Sequence, residues 1–211
     1  MIQINKFRKT YNGRVALQID AFTIPPGIYW VRGINGSGKS TLLKALAGIA
    51  HFQGDIILAG NLNSKQQSVA YRGAVNFAEA EPVFPEFLTG NELIHLFKKA
   101  KNAPDRQEDF YVDSMSMASY LPDPVGTYSS GMLKKLSLVL AFLGQPACIL
   151  LDEPLTTLDT DSLPVVYSWI ARRHHQHQTT FLLSSHQEFE GETLPDVRKI
   201  VVEQGTIRYE P

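Results

Sequence analysis

One stretch of the sequence, GINGSGKST from Gly33 to Thr41, constrains the fold more than any other. It fits the pattern Gly-x-x-x-x-Gly-Lys-Ser, whose glycines let several backbone N–H groups converge on phosphate oxygens without Cβ clashes. The run GIYWVRG before it is typical of a buried strand, and STLLKALAGI after it has leucines at helical spacing. Strand, glycine-rich loop and helix N-terminus in this order predict a phosphate-binding loop. Its candidate ligand residues are Gly33, Ile34, Asn35, Gly36, Ser37, Gly38, Lys39, Ser40 and Thr41.

Two side chains of this loop have distinct chemistry. Lys39 supplies a positive charge for the β- and γ-phosphates of a nucleotide, and Ser40 supplies a hydroxyl for Mg²⁺. The loop alone does not define the reaction, because a P-loop kinase or a small GTPase would share it. A second stretch, CILLDEP, puts Asp152 and Glu153 at the end of an apolar strand. Asp152 suits a water-mediated hold on Mg²⁺, and Glu153 suits polarisation of an attacking water.

Strand patterns alternate with helical patterns along most of the chain, which predicts an α/β fold with a largely parallel sheet. SVAYRGAVNF, residues 68–77, is predicted to be a strand, and DSLPVVYSWIARRHHQ a helix with Ser162 as its cap. Helical patterns and proline-marked turns over about residues 80–130 predict a small helical lobe inserted into the core. This segment includes a capping box formed by Thr89 and Glu92. The whole chain, 1–211, is predicted to be a single domain.

Six short motifs resemble those of the nucleotide-binding subunits of ATP-binding cassette (ABC) transporters, and they occur along the chain in the order that this family has. GINGSGKST resembles the Walker A motif, and ILLDEP resembles the Walker B motif with its catalytic glutamate. YSSGM stands where that family has Leu-Ser-Gly-Gly-Gln, its signature, directly before a helical pattern. TTLD, which ends at Asp159, resembles the D-loop, and His186 resembles the switch histidine. Tyr11 resembles the aromatic residue that stacks on adenine.

The resemblance implies a fold, cofactors and residue roles. The implied fold is α/β, with a P-loop NTPase core around a mixed or parallel sheet, an N-terminal antiparallel β subdomain and an inserted small helical subdomain. ATP and Mg²⁺ are the implied cofactors. Glu153, His186 and Lys39 are the implied catalytic residues, with His186 on the γ-phosphate.

The resemblance also implies that the nucleotide site is shared between chains. Two cassettes would meet head to tail, so that the signature of one chain covers the ATP held by the P-loop of the other. Ser129, Ser130 and Gly131 would then contact the ATP of a neighbouring subunit, since a serine hydroxyl and N–H groups at a helix start are good anion ligands. Asp159 would contribute to the site from the D-loop. A homodimer is the expected arrangement.

The Q-loop is a departure from the family pattern. A glutamine is expected within VNFAEAEPVF, but Glu79 occupies the best-aligned position and Glu81 is the alternative. A glutamate can still accept a hydrogen bond from a metal-bound water, although it adds negative charge near Mg²⁺. Glu79 is therefore a candidate for both nucleotide and metal binding.

Other departures affect the signature and the D-loop. Ser130 replaces the first signature glycine and Met132 replaces the glutamine, while threonines stand for small residues at 156 and 157. None of these changes removes Lys39, His186 or the two acids. An active ATPase is therefore expected.

Composition bounds the location and partners of the protein. The formal net charge is −1, which does not favour nucleic acid binding, and the single cysteine fits a reducing compartment. The longest apolar run, Leu136 to Gly144, is about half of the roughly 20 residues that a membrane helix needs. A cytoplasmic protein is expected, peripheral at the cytoplasmic face of a membrane through its partner.

Two functions follow as hypotheses. The first is an ATP-hydrolysing subunit that energises transport through a transmembrane permease subunit on a separate chain. The alternative is a soluble ABC ATPase that acts on DNA or ribosomes. Such relatives usually carry a long coiled-coil insertion or two cassettes in one chain, and this sequence has neither and no basic arm. Direct nucleic acid binding is not expected.

Overall fold

The computed structural model of the chain describes residues 1–185, 194 and 196–210. Its strands are β1 (Ile2–Tyr11), β2 (Arg14–Ile24), β3 (Ile28–Arg32), β4 (Gln53–Leu58), β5 (Leu62–Asn63), β6 (Val75–Ala78), β7 (Cys148–Leu151), β8 (Thr180–Ser184), β9 (Val197–Glu203) and β10 (Thr206–Glu210). Its helices are α1 (Lys39–Leu46), α2 (Ser68–Ala74), α3 (Gly90–Ala100), α4 (Gln107–Ser114), α5 (Ser130–Phe142) and α6 (Ser162–His177), with a 3₁₀ turn over Val125–Thr127.

The described residues form two sheets. An antiparallel sheet near the N-terminus has the strand order β2-β1-β4-β5. The second sheet has the order β10-β9-β3-β8-β7-β6 and is parallel except for β10 at its edge. The predicted fold class, with an antiparallel β portion and a mixed core sheet, is confirmed. The carboxyl ends of β3, β8, β7 and β6 meet at one edge, which is where open α/β sheets bind their ligands.

The second sheet is covered on both faces by hydrophobic side chains. In β7 and β8, Ile149 and Phe181 belong to a buried cluster with residues of α3, α4, α5 and α6. The alternate residues Leu150 and Leu182 belong to a second cluster, with α1 and the antiparallel sheet. This alternation follows from the two-residue repeat of a strand. Burial on both faces fixes the register of the strands, and so fixes where their carboxyl ends stand.

The helices α3 and α4 and the 3₁₀ turn lie within the segment predicted to form a helical lobe. The capping box is present, since Thr89 Oγ1 accepts from the backbone N–H of Glu92 at 3.1 Å and Glu92 Oε2 accepts from the N–H of Thr89 at 2.8 Å. Buried side chains of both helices join the cluster that also covers one face of the sheet. Of the helices described, none combines the length and the apolar character needed to cross a lipid bilayer.

The strand predicted over residues 68–77 is wrong for most of its length. Ser68–Ala74 forms helix α2, and only the following Val75–Ala78 forms a strand. The physical reason is a tertiary contact of Tyr71, whose buried hydroxyl donates to the carbonyl of Leu46 at 2.7 Å. A helical turn brings this ring into the core, and that contact outweighs the strand preference of the valine and tyrosine.

The predicted cap of α6 is also wrong. Ser162 is the first residue inside the helix and is buried, while the residue before it, Asp161, makes no capping hydrogen bond with its side chain. Asp159 supplies the acceptor instead, because its Oδ1 takes hydrogen bonds from the N–H of Ser162 at 2.9 Å and from its hydroxyl at 2.7 Å.

Candidate functional site

The glycine-rich loop connects β3 to α1 and leaves no room for a side chain at its first glycine. A Cβ atom on Gly33 would lie 2.4 Å from Ser37 Oγ and 2.5 Å from the carbonyl of Val202. Gly38, which precedes α1, has a φ of 108°, a backbone conformation that L side chains rarely adopt. The N–H of Ser37 donates to the carbonyl of Ile34 at 3.1 Å, which closes a tight turn. The backbone is therefore folded compactly in front of a helix N-terminus.

The Lys39 ammonium lies inside this loop. Its Nζ donates to the carbonyls of Gly33 at 2.8 Å and Ile34 at 3.3 Å, and the residue is only 6% exposed. Burial lowers the pKa of Lys39 below its usual value, while the negative charges of Glu153 and Asp152 oppose that change. A charged lysine is thus held by two backbone carbonyls of the loop, at the start of a helix whose N–H groups suit phosphate oxygens.

The two acids follow β7, and a serine from the neighbouring strand holds both. Asp152 is 2% exposed, and one of its carboxylate oxygens accepts from the hydroxyl of Ser184 at the end of β8. The same hydroxyl accepts from the backbone N–H of Glu153 at 3.0 Å. Glu153 has a φ of 46°, a left-handed conformation that turns the chain sharply after the buried strand. Ser184 therefore fixes the two acids relative to β8, which lies between β7 and β3.

The donors that could hold Mg²⁺ are oxygen atoms, as this hard cation requires. Ser40 is exposed in the first turn of α1, and the carboxylate of Asp152 stands at the same sheet edge. No group of three or more His, Cys, Asp and Glu side chains suitable for a metal occurs among the residues that the structure describes. That donor set fits an ion held by one or two protein oxygens together with phosphate oxygens, as is usual for Mg²⁺.

The candidate Q-loop glutamate lies directly after β6, at the same edge. Glu79 is half-buried, and its Oε2 lies 3.6 Å from the Nζ of Lys44 on α1. Glu81 is exposed two residues later. Since both side chains of the Glu79–Lys44 pair are about 40% exposed, the pair orients the carboxylate without burying it.

The candidate adenine residue stands at the end of β1. The ring of Tyr11 is 47% exposed, and the Nζ of Lys9 lies 4.5 Å from its centroid. One face of an exposed aromatic ring remains suited to stacking on a planar base.

The signature residues lie at the N-terminus of α5 and have no hydrogen bond or ion pair to the P-loop among the described residues. Ser129 caps the helix, because its Oγ accepts from the N–H of Met132 at 3.2 Å, and both Ser129 and Ser130 are exposed. A Cβ atom on Gly131 would come within 3.0 Å of the carbonyl of Thr157. The signature therefore packs against its own D-loop and presents its serines to the surface.

The Asp159 carboxylate is engaged within its own chain. Its Oδ2 lies 2.7 Å from the Nζ of Lys135 on α5, and its Oδ1 accepts from Ser162. Hydrogen bonds from Lys135 and then from Ser162 lower the pKa of Asp159 to about 2. The last predicted site residue, His186, lies outside the described residues.

Two residues of the site were missed by sequence reasoning. Ser184 could have been suspected, because it ends a buried strand of the same kind as the strand that leads into Asp152. Lys134 on α5 is 0% exposed, and its Nζ donates to three backbone carbonyls. Burial lowers its pKa to about 8. The signal for Lys134 was the run from Leu136 to Phe142, which is apolar on nearly all sides of the helix, with Ser137 as the exception, and so predicts a buried element.

A lysine inside a glycine-rich loop at a helix N-terminus, at the same sheet edge as an acid pair that follows another parallel strand, defines a P-loop nucleotide-binding domain. Comparison with known protein families is more specific. The family described as ABC transporter matches residues 17–156 of the chain. The chain belongs to this family and is an ABC ATPase cassette.

Curated relatives include much longer proteins. The chain is 29% identical over 202 residues to ATP-binding cassette sub-family A member 7 of Mus musculus, which covers 92% of the chain and 9% of that protein. It is 30% identical over 205 residues to the uncharacterised ABC transporter ATP-binding protein YdbJ of Bacillus subtilis, which covers 96% of the chain and 66% of the relative. The chain thus spans about a tenth of the length of the sub-family A relatives.

Solved structures agree on the fold. An ATP-binding subunit of an ABC transporter superposes with a TM-score of 0.89 at 22% identity, covering 100% of the chain and 89% of that structure. The ATP-binding cassette MJ0796, solved as a dimer in a post-hydrolysis state with ADP and Pi, has a TM-score of 0.81 at 19% identity, covering 100% and 98%. These likenesses establish the ABC ATPase fold.

Proposed function

We propose that this cassette hydrolyses ATP and uses the energy to drive movement of a substrate across a membrane, through a separate transmembrane partner. One observation carries the proposal: the hydroxyl of Ser184 fixes Asp152 and Glu153 at the sheet edge where Lys39 stands. An acid pair beside a phosphate loop, with Asp152 buried and Glu153 half-buried, is suited to splitting a nucleotide rather than only binding it.

Each residue of the site has its own role in binding or hydrolysing ATP. Tyr11 stacks on adenine, and the loop from Gly33 to Thr41 surrounds the phosphates with Lys39 on their charge. Ser40 and Asp152 would hold Mg²⁺, with Glu79 close enough to accept from its bound water, and the ion would supply positive charge to offset that of the phosphates. Glu153 takes a proton from the water that attacks the γ-phosphorus, while the bond to the bridging β-phosphate oxygen breaks.

The signature completes the site from a second cassette. Ser129 and Ser130 are exposed at a helix N-terminus, which favours an anion. A second copy of this chain, placed head to tail, would bring these groups to the γ-phosphate. The ATP-binding cassette MJ0796, solved as a dimer with ADP and Pi, supports dimerisation as a precedent within the fold. In this arrangement Asp159 contributes indirectly, by fastening the D-loop to α5.

An apolar groove beside Glu79 is the surface that we assign to the membrane partner. Ile49 and Val83 line it and are 53% and 88% exposed, and Phe84 and Phe97 complete its wall. Exposed apolar side chains that cluster in one groove are typical of interaction sites. An amphipathic helix from the cytoplasmic side of a membrane protein fits such a groove. Because Glu79 also lines the groove, docking there would reach the nucleotide site.

Co-purification tests this assignment. The tagged chain is isolated from detergent-solubilised membranes of its own source, and an integral membrane protein is expected in stoichiometric amount. Val83→Asp should remove that protein, because it places a charge in the apolar groove. Val69→Asp is the matched control, since Val69 is 78% exposed on α2 and does not line the groove.

The added membrane protein should also change the ATPase rate of the chain when both are reconstituted in lipid vesicles. Retention of the membrane protein by Val83→Asp would refute the groove as the docking site. Recovery of ribosomes or DNA in place of a membrane protein would favour the alternative, a soluble cassette.

A further inference from the structure

Lys134 is the most deeply buried charged side chain among the described residues, at 0% exposure. Its Nζ donates to the carbonyls of Glu79 at 3.0 Å, Ala80 at 3.1 Å and Asp152 at 3.0 Å. An ammonium group has three donors, so these three acceptors use all of them. The side chain therefore has one fixed position, defined by the backbone that follows two different strands.

These contacts join two parts of the site that the chain keeps apart. The carbonyls belong to the segments that follow β6 and β7, which carry the candidate Q-loop glutamate and the Walker B acid. Lys134 itself belongs to the first two turns of α5, whose N-terminus carries Ser129. A shift of this end of α5 would thus pull on the backbone of Asp152.

The next residue strengthens the same connection. Lys135 pairs with Asp159 at 2.7 Å, and Gly131 packs closely against the carbonyl of Thr157. The N-terminal end of α5 is therefore fastened on one side to the acid site and on the other to the D-loop. Of these links the Lys134 contacts are shielded from water, whereas Asp159 is 52% exposed.

We propose that Lys134 is a positioning residue that holds the signature of each chain at a fixed place relative to the acids of the same chain. This inference rests on the proposed head-to-tail dimer, in which the signature serves the neighbour's ATP. Lys134 then acts on two ATP sites: on its own through Asp152, and on the neighbour's through Ser129. A lysine that only satisfied buried carbonyls would affect the acid site alone.

Mixed dimers separate the two effects. One chain carries Lys39→Ala, so its P-loop is inactive, and the other carries Ser129→Arg, so its signature is inactive. After mixing, one working site remains, made of the P-loop of the second chain and the signature of the first. Lys134→Met is then introduced in two placements, first into one chain and then into the other. For each placement, kcat and KM for ATP are measured.

Both placements should lower kcat. We expect a fall of about 10- to 100-fold in each case, since small misplacements of reacting groups have effects of this size. The KM for ATP should change by less than about threefold, because Tyr11 and the intact P-loop still bind the nucleotide. Lys99→Met is the control, because Lys99 is exposed on α3 and should leave the rate unchanged in both placements.

The outcomes are distinct. An effect confined to the chain with the working P-loop would overturn the proposal, and so would no effect in either placement. Loss of activity in the mixture before Lys134 is changed would instead refute the shared site itself, and the positioning role with it. Where Lys134→Met does not fold, Lys134→Gln takes its place, because its amide still donates two hydrogen bonds without a charge.

Discussion

The proposed ATP site has a P-loop half and a signature half, and they differ in how completely the contacts within one chain fix their residues. On the P-loop side, Lys39 and Asp152 are almost fully buried and each has hydrogen-bond partners from the same chain. On the signature side, Ser129 and Ser130 are exposed at the start of α5. Charged groups need fixed partners when they are buried, whereas a serine hydroxyl at the surface is satisfied by water. The first half is pre-organised, and the second needs a surface opposite it.

Replacing the candidate general base, Glu153, should lower the ATPase rate more than any other change. A small effect would contradict the view that the P-loop half of the site is already built for catalysis. Glu153→Gln keeps the size and the backbone of the residue but removes the carboxylate. We expect ATP hydrolysis to fall by about 10²- to 10⁴-fold, the usual contribution of a general base, with ATP binding retained. Steady-state ATPase assays and calorimetric ATP titration measure the two quantities.

The same variant sharpens the contrast between the halves. Because ATP persists in Glu153→Gln, its γ-phosphate should hold two chains together, and ADP should not. Size-exclusion chromatography with each nucleotide tests this, with the exposed Glu86→Gln as control. Hydrolysis within about threefold of the parent would mean that another residue acts as the base.

Removing the serine that holds the acids should have an intermediate effect. Ser184→Ala deletes a hydrogen bond that positions a buried carboxylate, and misplaced reacting groups lower rates by up to about 100-fold, so we expect kcat to fall by about 10- to 100-fold. The P-loop is untouched, so ATP affinity should change little. Ser168→Ala, an exposed serine on α6, is the matched control. Equal kcat in both variants would refute the role of Ser184.

The smallest effect, on stability, is expected at the exposed contact between Lys135 of α5 and Asp159 of the D-loop. The pKa of Asp159 is lowered to about 2 by Lys135 and Ser162, so the ionised carboxylate stabilises the fold above its unfolded pKa of about 4. That stability is lost as the pH falls from about 4 towards 2. Asp159→Asn should therefore lower the urea midpoint slightly at pH 7, because exposed pairs contribute little.

The difference between Asp159→Asn and the parent should shrink below about pH 4, as the parent carboxylate becomes protonated. Asp20→Asn, which changes an exposed aspartate of β2, controls for the loss of one negative charge. A difference that stays constant down to pH 3 would contradict the assignment of the stabilisation to this carboxylate.

Sequence reasoning succeeded where a local pattern has one structural solution. The glycine-rich loop between a buried strand and a helix, and the capping box of Thr89 and Glu92, depend on contacts within a few residues. The alternation of strands and helices likewise identified the parallel sheet. Such features need only backbone sterics and hydrophobic spacing, which a single sequence displays.

Sequence reasoning failed where a distant contact decides. Tyr71 turns residues 68–74 into a helix through the carbonyl of Leu46, and Asp159 takes over the cap that Ser162 was expected to supply. The roles of Ser184 and Lys134 depend on which strand ends stand side by side. The sequence around these positions can indicate that a residue is buried, but it does not show which distant group the residue contacts.

The strand order also governs when the site can exist during synthesis. Among the described strands, β3, which leads into the phosphate loop, pairs with β8 and β9, and β8 separates it from β7 and the acids that follow β7. Parallel pairings this distant in sequence form slowly. Until residue 184 has left the ribosome, the lysine and the acid pair have no common framework. The nascent chain therefore cannot use nucleotide to guide its early folding.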